Sequence, residues 1–152
     1  MGKGHKERQR NEMKLFDSSA IINLCAEKNL DPLLEGFTLN LALYELGNAV
    51  WKQVYIHNTI TVEEANIILD SLAEVFGKMR KLKVEHPLET LKIAVEEKIT
   101  YYDAAYLHTA VKNNLTLVTD DEKLYRIGKK YVKTVKSKEV SEYPKKKSLS
   151  SL

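Results

Sequence analysis

Apolar residues occur along the chain in two patterns, short continuous runs and longer stretches spaced for burial on one face of a helix. The short runs predict five strands, at residues 13–16, 37–39, 81–84, 115–118 and 131–135. The helical patterns lie between them, at 18–27, around Pro32, at 41–55, from Thr61 to just before Gly77, from Pro87 through Val95, and at 100–112 and 120–127. Strands that alternate with helices predict an α/β protein whose parallel sheet is covered on both faces.

Local signals set several of these boundaries. Thr61 followed by Glu64 is a capping-box pattern, and Thr119 followed by Glu122 forms a second one. Gly128 is expected to close the short helix after the fourth strand. The tyrosines of the 100–112 helix are expected to fill the core rather than to stack bases; they are Tyr101, Tyr102 and Tyr106.

Length and composition indicate a single globular domain, since 152 residues with 43% hydrophobic side chains can bury a core. The longest stretch without a charged residue has ten residues, 53–62, far fewer than the roughly 20 that span a bilayer. We therefore expect a cytoplasmic protein that does not enter the membrane. One cysteine and four scattered histidines argue against a thiolate zinc site. His108 is expected to be non-catalytic, because it lies five residues after Asp103 and so points to a different side of that helix.

Charge is distributed unevenly along the chain. From Lys123 onward there are ten basic and two acidic residues, net +8, so the chain's total of +3 leaves −5 on the preceding 122 residues. The basic end can attract a polyanion such as RNA, or it can be a solubilising flank. We expect a polar N-terminal extension at 1–12, a catalytic domain at 13–136 and a basic, flexible tail at 137–152 that frays.

Acidic residues follow two of the predicted strands directly. Asp17 ends the first strand, and Asp120 and Asp121 end the fourth. Glu45 and Asp103 stand in helical segments among apolar neighbours. Ligand crevices in parallel sheets lie beyond the carboxyl ends of the strands, so the sequence predicts that these acids meet there.

Each acid also has a structural interpretation. Asp17 can cap the helix that follows it, and Thr100 with Asp103 can form a capping pair. The acids after Thr119 can be favourable first-turn charges, and Glu45 can be an ordinary surface residue. One shared site explains all of them together, because converging carboxylates repel one another unless a cation joins them. A site made only of oxygen ligands favours Mg²⁺ or Mn²⁺, which suits phosphodiester hydrolysis.

Four segments carry a resemblance to a known family: LFDSSAII, LALYELGNAVWK, TYYDAAYLHTA and LTLVTDDEKL. In order and separation they resemble the four motifs of the PIN-domain ribonucleases, especially the VapC-like toxins of prokaryotic toxin–antitoxin pairs. The resemblance implies a three-layer α/β/α fold with a mainly parallel sheet of about five strands. It also implies an endoribonuclease that depends on Mg²⁺ or Mn²⁺, forms a homodimer and is blocked by a small antitoxin.

The motifs assign roles to particular residues. The family's four metal-binding and catalytic acids fall on Asp17, Glu45, Asp103 and Asp121, and Asp120 is an extra acid that competes with Asp121 for the last position. The supporting polar positions fall on Ser18, Asn48 and Thr119. Basic residues near the motifs are expected to guide the RNA backbone; they are Lys14, Lys123 and Arg126.

Two other functions fit the same sequence. The polar N-terminal dozen and the basic tail extend beyond the family's core and leave room for an RNA-processing nuclease. A module that binds RNA or protein without turnover would use the acids structurally, and metal-dependent cleavage distinguishes it. A receiver-type phosphoryl switch is disfavoured, because its acid pair follows the first strand whereas the pair here lies at 120–121.

Overall fold

The computed structural model describes residues 13–140. Its central sheet has five short strands: β1 (Lys14–Phe16), β2 (Phe37–Leu39), β3 (Arg80–Leu82), β4 (Thr116–Val118) and β5 (Thr134–Val135). Seven helices connect them: α1 (Ser18–Ala26), α2 (Asp31–Leu34), α3 (Ala42–Tyr55), α4 (Val62–Lys78), α5 (Pro87–Glu97), α6 (Tyr101–Lys112) and α7 (Glu122–Gly128).

The sheet is entirely parallel, with the strand order β3-β2-β1-β4-β5. Helices cover both of its faces, so the predicted three-layer α/β/α fold is confirmed. The strand order reverses at β1, since the chain first builds outward to β3 and then returns to β4 on the other side. The crevice expected at such a reversal lies between the carboxyl ends of β1 and β4.

The core is built on the central strands and on α6. The fully buried strand residues are Leu15, Phe16, Leu117 and Val118. Every residue of the stretch 104–110 of α6 is also buried, with at most 7% of its surface exposed. A helix buried on all sides explains why this segment is apolar with few charges. The prediction that its tyrosines fill the core is correct for Tyr106, but it is wrong for the first turn of the helix, where Tyr101 is 39% and Tyr102 is 60% exposed.

Two predicted boundaries near the C-terminus are wrong. Asp121 caps α7 with its own side chain, which accepts the Leu124 N–H at 2.8 Å, so the expected Thr119–Glu122 capping box does not form. Residues 137–140 are helical rather than frayed, and both Ser137 and Val140 are buried. The expected extension at 1–12 and the tail from residue 141 lie outside the described residues. Among residues 13–140, no helix combines the length and apolar character needed to cross a membrane.

Candidate active site

The carboxyl ends of β1 and β4 bring the first and last acidic motifs together. The two strands pair in register, with Phe16 opposite Val118, and the Asp17 N–H donates to the Val118 carbonyl at 3.2 Å. The chain leaves β1 at Asp17 and leaves β4 at Thr119, so these two side chains meet over the sheet edge. Sequence position predicted this juxtaposition, because parallel neighbours end at the same edge.

Asp17 is held by a set of donors at the start of α1. One carboxylate oxygen, Oδ1, accepts the Ser19 hydroxyl at 2.6 Å and the Ala20 N–H at 3.0 Å. The other, Oδ2, accepts the Thr119 hydroxyl. Asp17 is therefore the N-cap of α1 as well as a member of the acidic cluster, so the two interpretations of this residue are compatible.

Burial is the main influence on the pKa of this carboxyl, since Asp17 is only 5% exposed. Loss of hydration raises the pKa of Asp17 from its ordinary 3.8 to about 6. Hydrogen bonds from Ser19, Thr119 and the Ala20 backbone lower that pKa in part, and the charge of Glu45 raises it further. The ionised form therefore carries a cost that a nearby cation would relieve.

Glu45 lies in the first turn of α3 and faces the same crevice. Its Oε1 accepts the Tyr106 hydroxyl at 2.8 Å, and a hydrogen bond from Ser18 also reaches its carboxylate. Burial raises the pKa of Glu45, and the charge of Asp103 adds to this rise, while both hydrogen bonds lower it. Glu45 is thus not the surface residue that its helix pattern also allowed.

Tyr106 is a contact that sequence reasoning assigned only to the core. Its ring is buried in α6, and its hydroxyl reaches across to the acidic cluster. The available signal was its position three residues after Asp103, which places it on the same side of α6 as that acid.

Asp103 and Asp121 complete the cluster. Burial raises the pKa of Asp103, and the charge of Asp121 raises it further, against a hydrogen bond from Thr100 and the positive charge of Lys123. The Asp121 backbone N–H donates to the Thr119 hydroxyl at 3.1 Å, which ties this acid to the group that holds Asp17. Thr100 caps α6 through the Asp103 N–H, as its spacing predicted.

Asp120 directs its carboxylate to a different part of the molecule. It accepts the Asn23 amide at 2.6 Å, the Ser137 N–H at 2.8 Å and the Ser137 hydroxyl. Its own backbone N–H donates to the Ser19 hydroxyl at 2.9 Å. Asp120 thus joins α1 to residues 137–140, whereas Asp121 is the acid coupled to Asp103. Ser19, which sequence reasoning passed over in favour of Ser18, bridges Asp17 and the Asp120 backbone.

The remaining predicted residues lie around this cluster. Thr119 is buried and contacts Asp17 directly, while Asn48 is exposed one turn after Glu45 on α3. Lys123 donates to the Lys98 carbonyl, Arg126 is exposed on α7, and Lys14 is partly buried in β1. His108 is buried and contacts Glu89 at 2.7 Å, which is not one of the four acids of the motifs.

Mutual repulsion links the four acids in a series. Asp17 is affected by Glu45, Glu45 by Asp103, and Asp103 by Asp121, each through like charge. No three His, Cys, Asp or Glu side chains within 13–140 stand close enough, as they are oriented, to hold a single ion. The donor set nevertheless suits a hard divalent cation, because it consists of carboxylate oxygens that repel one another and retain unused lone pairs. Side-chain rotation would have to complete the convergence.

Comparison with known proteins shows which family this chain resembles. The model of the PIN domain matches residues 14–130. The chain belongs to the PIN-domain family. Among its relatives, Exonuclease VapC9 of Pyrobaculum aerophilum is 34% identical over 113 residues, which cover 72% of this chain and 81% of that protein. Ribonuclease VapC3 of the same organism is 36% identical over 125 residues, covering 74% and 92% of the two chains.

A solved structure supports the same assignment. The crystal structure of PAE2754 from Pyrobaculum aerophilum superimposes on this PIN domain with a TM-score of 0.73 at 28% identity. The match covers 84% of this chain and 85% of the other. The suspected resemblance to VapC-like PIN domains is thereby confirmed.

Proposed function

We propose that this PIN domain is a divalent-metal-dependent endoribonuclease that hydrolyses RNA phosphodiester bonds and acts as the toxin of a toxin–antitoxin pair. The observation that carries the proposal is the series of repelling carboxylates, Asp17, Glu45, Asp103 and Asp121, at the carboxyl edge of a parallel sheet. The VapC names of two relatives support the toxin assignment. PIN-domain nucleases as a family depend on divalent metal ions.

Asp17, Asp103 and Asp121 would hold the ion, Mg²⁺ or Mn²⁺, which supplies an activated water and neutralises charge on the phosphodiester. Glu45, oriented by Tyr106 and Ser18, accepts a proton from the attacking water or completes the ligand set. Thr119 keeps the Asp17 carboxylate turned into the crevice by donating to it.

The supporting Asn48 and the basic side chains lie near the acidic motifs. Asn48 is exposed beside Glu45, and Lys123 and Arg126 stand on α7, whose first residue follows Asp121. We assign Lys14, Lys123 and Arg126 to positioning of the RNA backbone, and Asn48 to support of the acidic site. Cleavage of cellular RNA would place the protein in the cytoplasm.

Partner binding is proposed from the apolar surface of α3. Leu43 and Trp51 are 38% and 48% exposed, and Val54 is partly buried. These residues would contribute to a homodimer or to contact with the antitoxin, whereas Leu72, which the sequence also offered for this role, is buried in the core. An antitoxin arginine beside the acids would form charge-assisted hydrogen bonds with them.

The test is cleavage of RNA by the full chain with Mg²⁺ or Mn²⁺ and with EDTA. Asp17→Asn and Asp103→Asn should each lower the rate by at least about a hundredfold, because each removes a negative ligand. Asp70→Asn, an exposed residue of α4, is the matched control and should cleave like the unmodified chain. Equal cleavage by Asp17→Asn, or full activity in EDTA, would reject the proposal.

The position of cleavage needs a separate substrate. A circular RNA has no ends, so only an endonuclease can open it. Opening of the circle in Mn²⁺ supports the endonucleolytic mode. Digestion of the linear form alone would instead favour the mode named in Exonuclease VapC9.

A further inference from the structure

A run of basic residues begins at the acidic site and leads away from it. Between 123 and 138 the chain has seven basic residues and no acidic one. We name this set the basic face; its members are Lys123, Arg126, Lys129, Lys130, Lys133, Lys136 and Lys138. Only the first two were predicted individually from the sequence to contact RNA, and the others were treated as part of a basic end that can attract a polyanion.

The fold arranges these residues along one direction. Helix α7 begins at the cap Asp121, inside the acidic site, and its seven residues carry the chain back along the sheet for about 10 Å. Lys123 is close enough to Asp103 to lower the pKa of that acid. Arg126 follows Lys123 at a spacing of three, which keeps both on the same side of α7. Lys130 lies in the turn after that helix, where it pairs with Glu97.

The far end of this path is a groove beside β5, the edge strand of the sheet. Its volume is about 610 Å³, and residues 129–135 line it together with Glu139. Three of its lining residues are lysines, Lys129, Lys130 and Lys133, against the single acid. The groove therefore retains positive charge.

Contacts within the protein position the basic face without neutralising it. Lys130 pairs with Glu97 at 2.8 Å, Lys136 pairs with Glu122, and Lys129 lies over the Tyr125 ring at 4.6 Å. Four carboxylates lie among these residues, Glu97, Glu122, Glu139 and Asp120, so the seven basic residues keep a formal net charge of +3.

The opposite side of the molecule has the reverse sign. Helix α4 carries four acidic residues and one lysine, a net of −3. A flexible polyanion is therefore attracted to one flank of the acidic site and repelled from the other.

We propose that a single strand of RNA leaves the acidic site along α7 and enters the groove beside β5, with its phosphates on the basic face. This inference rests on the proposed function, since it names the path of that function's substrate. About 10 Å of helix separates the cleaved bond from the groove, so only a few nucleotides lie between them. Contacts of this type read the backbone and not the bases, so they predict binding with little sequence preference.

The experiment measures binding of a short fluorescent oligouridylate to the full chain in EDTA, as a function of salt. Arg126→Glu with Lys133→Glu reverses two charges on the basic face. Lys52→Glu with Lys83→Glu, on α3 and after the opposite edge strand β3, is the matched control. Each pair takes the formal net charge from +3 to −1, a change of −4, so overall charge cannot explain a difference between them.

For single-stranded nucleic acid, the slope of log K against log salt concentration becomes shallower by about 0.7 for each phosphate contact removed. The basic-face pair should therefore flatten the slope by about 1.4 and weaken binding at least about tenfold at low salt. The control pair should leave the slope unchanged. The neutral pair Arg126→Gln with Lys133→Gln should flatten the slope to the same extent, which separates lost contacts from new repulsion and provides a milder variant that folds.

Equal slopes for the unmodified chain and both basic-face pairs would overturn the path. A larger loss of affinity in the Lys52 and Lys83 control pair than in the basic-face pair would overturn the path as well. Cleavage is scored separately with Mn²⁺ on the unmodified chain. Binding along the basic face without any cleavage would reject the proposed function, whereas cleavage with an unaltered salt slope would reject only the path.

Discussion

Replacement of Asp17 by asparagine should stabilise the metal-free protein while it abolishes cleavage. The buried carboxyl is costly to ionise, but its geometry can be kept by an amide of the same shape. Asparagine caps helices as well as aspartate does, so the Ala20 N–H retains its acceptor. The Thr119 hydroxyl, which donates to Asp17, can turn and accept from the new amide group.

The expected gain follows from the pKa of this group. Burial raises the pKa of Asp17 from 3.8 to about 6. Because each pKa unit corresponds to about 1.4 kcal/mol, ionising this carboxyl in the folded protein costs about 3 kcal/mol more than in the unfolded chain. This is an upper value for the free energy of unfolding gained at neutral pH. For a chain of 152 residues it corresponds to a rise in Tm of roughly 6–12 °C.

The pH dependence has a defined sign. Because the folded-state pKa of Asp17 is raised, the native state binds a proton more tightly than the unfolded chain does. The stability contributed by the protonated form is fully present below pH 3.8 and is lost as the pH rises through about 6. The advantage of Asp17→Asn should therefore grow between about pH 4 and pH 6 and stay constant above that range.

Thermal unfolding of both proteins in EDTA across this pH range is the assay. Added Mn²⁺ at a thousand times Kd should reverse the order, because binding then stabilises the native state by about 4.1 kcal/mol, which exceeds the gain of the asparagine variant, and that variant loses a ligand. A lower Tm for Asp17→Asn in EDTA at pH 7 would refute the argument from burial. An equal rise in Tm for both proteins with Mn²⁺ would refute the assignment of Asp17 as a ligand.

Three further changes test neighbouring features. Tyr106→Phe removes a hydroxyl donor from Glu45 and should cost about 1.5–3 kcal/mol of stability in denaturant titrations, together with a lower cleavage rate. Asp120→Ala leaves the buried Ser137 without its acceptor and should cost about 2–3 kcal/mol, with faster amide exchange at residues 137–140. Gly36→Ala places a methyl group 2.4 Å from the Phe16 ring and should lower the free energy of unfolding by about 1–3 kcal/mol. Gly77→Ala, in α4, meets no atom within 4 Å and should raise it by about 0.5–1 kcal/mol. Calorimetry measures both changes.

Each of these has a contrary result. Unchanged stability and rate for Tyr106→Phe would mean that the Glu45 contact is incidental. Native exchange rates at 137–140 in Asp120→Ala would show that this segment is held by Val140 packing alone. Equal effects of alanine at the two glycines would contradict the packing at Gly36.

The sequence predicted most of the architecture because its strands and helices differ in length and periodicity. The capping box at Thr61 was correct, and both of its hydrogen bonds form. Gly77 did not end the helix before it, since its position is open to solvent and the helix continues through Lys78. The last strand was predicted to begin at Tyr131 but begins at Thr134, because 129–132 form a turn that closes α7.

The acidic residues were predictable from their places at the sheet edge, but their partners were not. The Asp120 backbone N–H donates to the Ser19 hydroxyl, and the Asn23 amide donates to the Asp120 carboxylate. Both bonds depend on side-chain directions that no spacing rule contains. The motif match favoured Asp121 over Asp120, but nothing in the sequence showed what each of the two adjacent acids contacts. Only the helix cap formed by Asp121 and the Ser137 contact of Asp120 distinguish them.

The placement of β1 between β2 and β4 bears on synthesis by the ribosome. The first strand translated is central in the finished sheet, and it lacks one neighbour until residue 118 has emerged. Asp17 and Asp121 are separated by 104 positions, so an incomplete nascent chain holds only part of the acidic cluster. The proposed active site of a growing polypeptide is therefore incomplete until nearly the whole domain has left the exit tunnel.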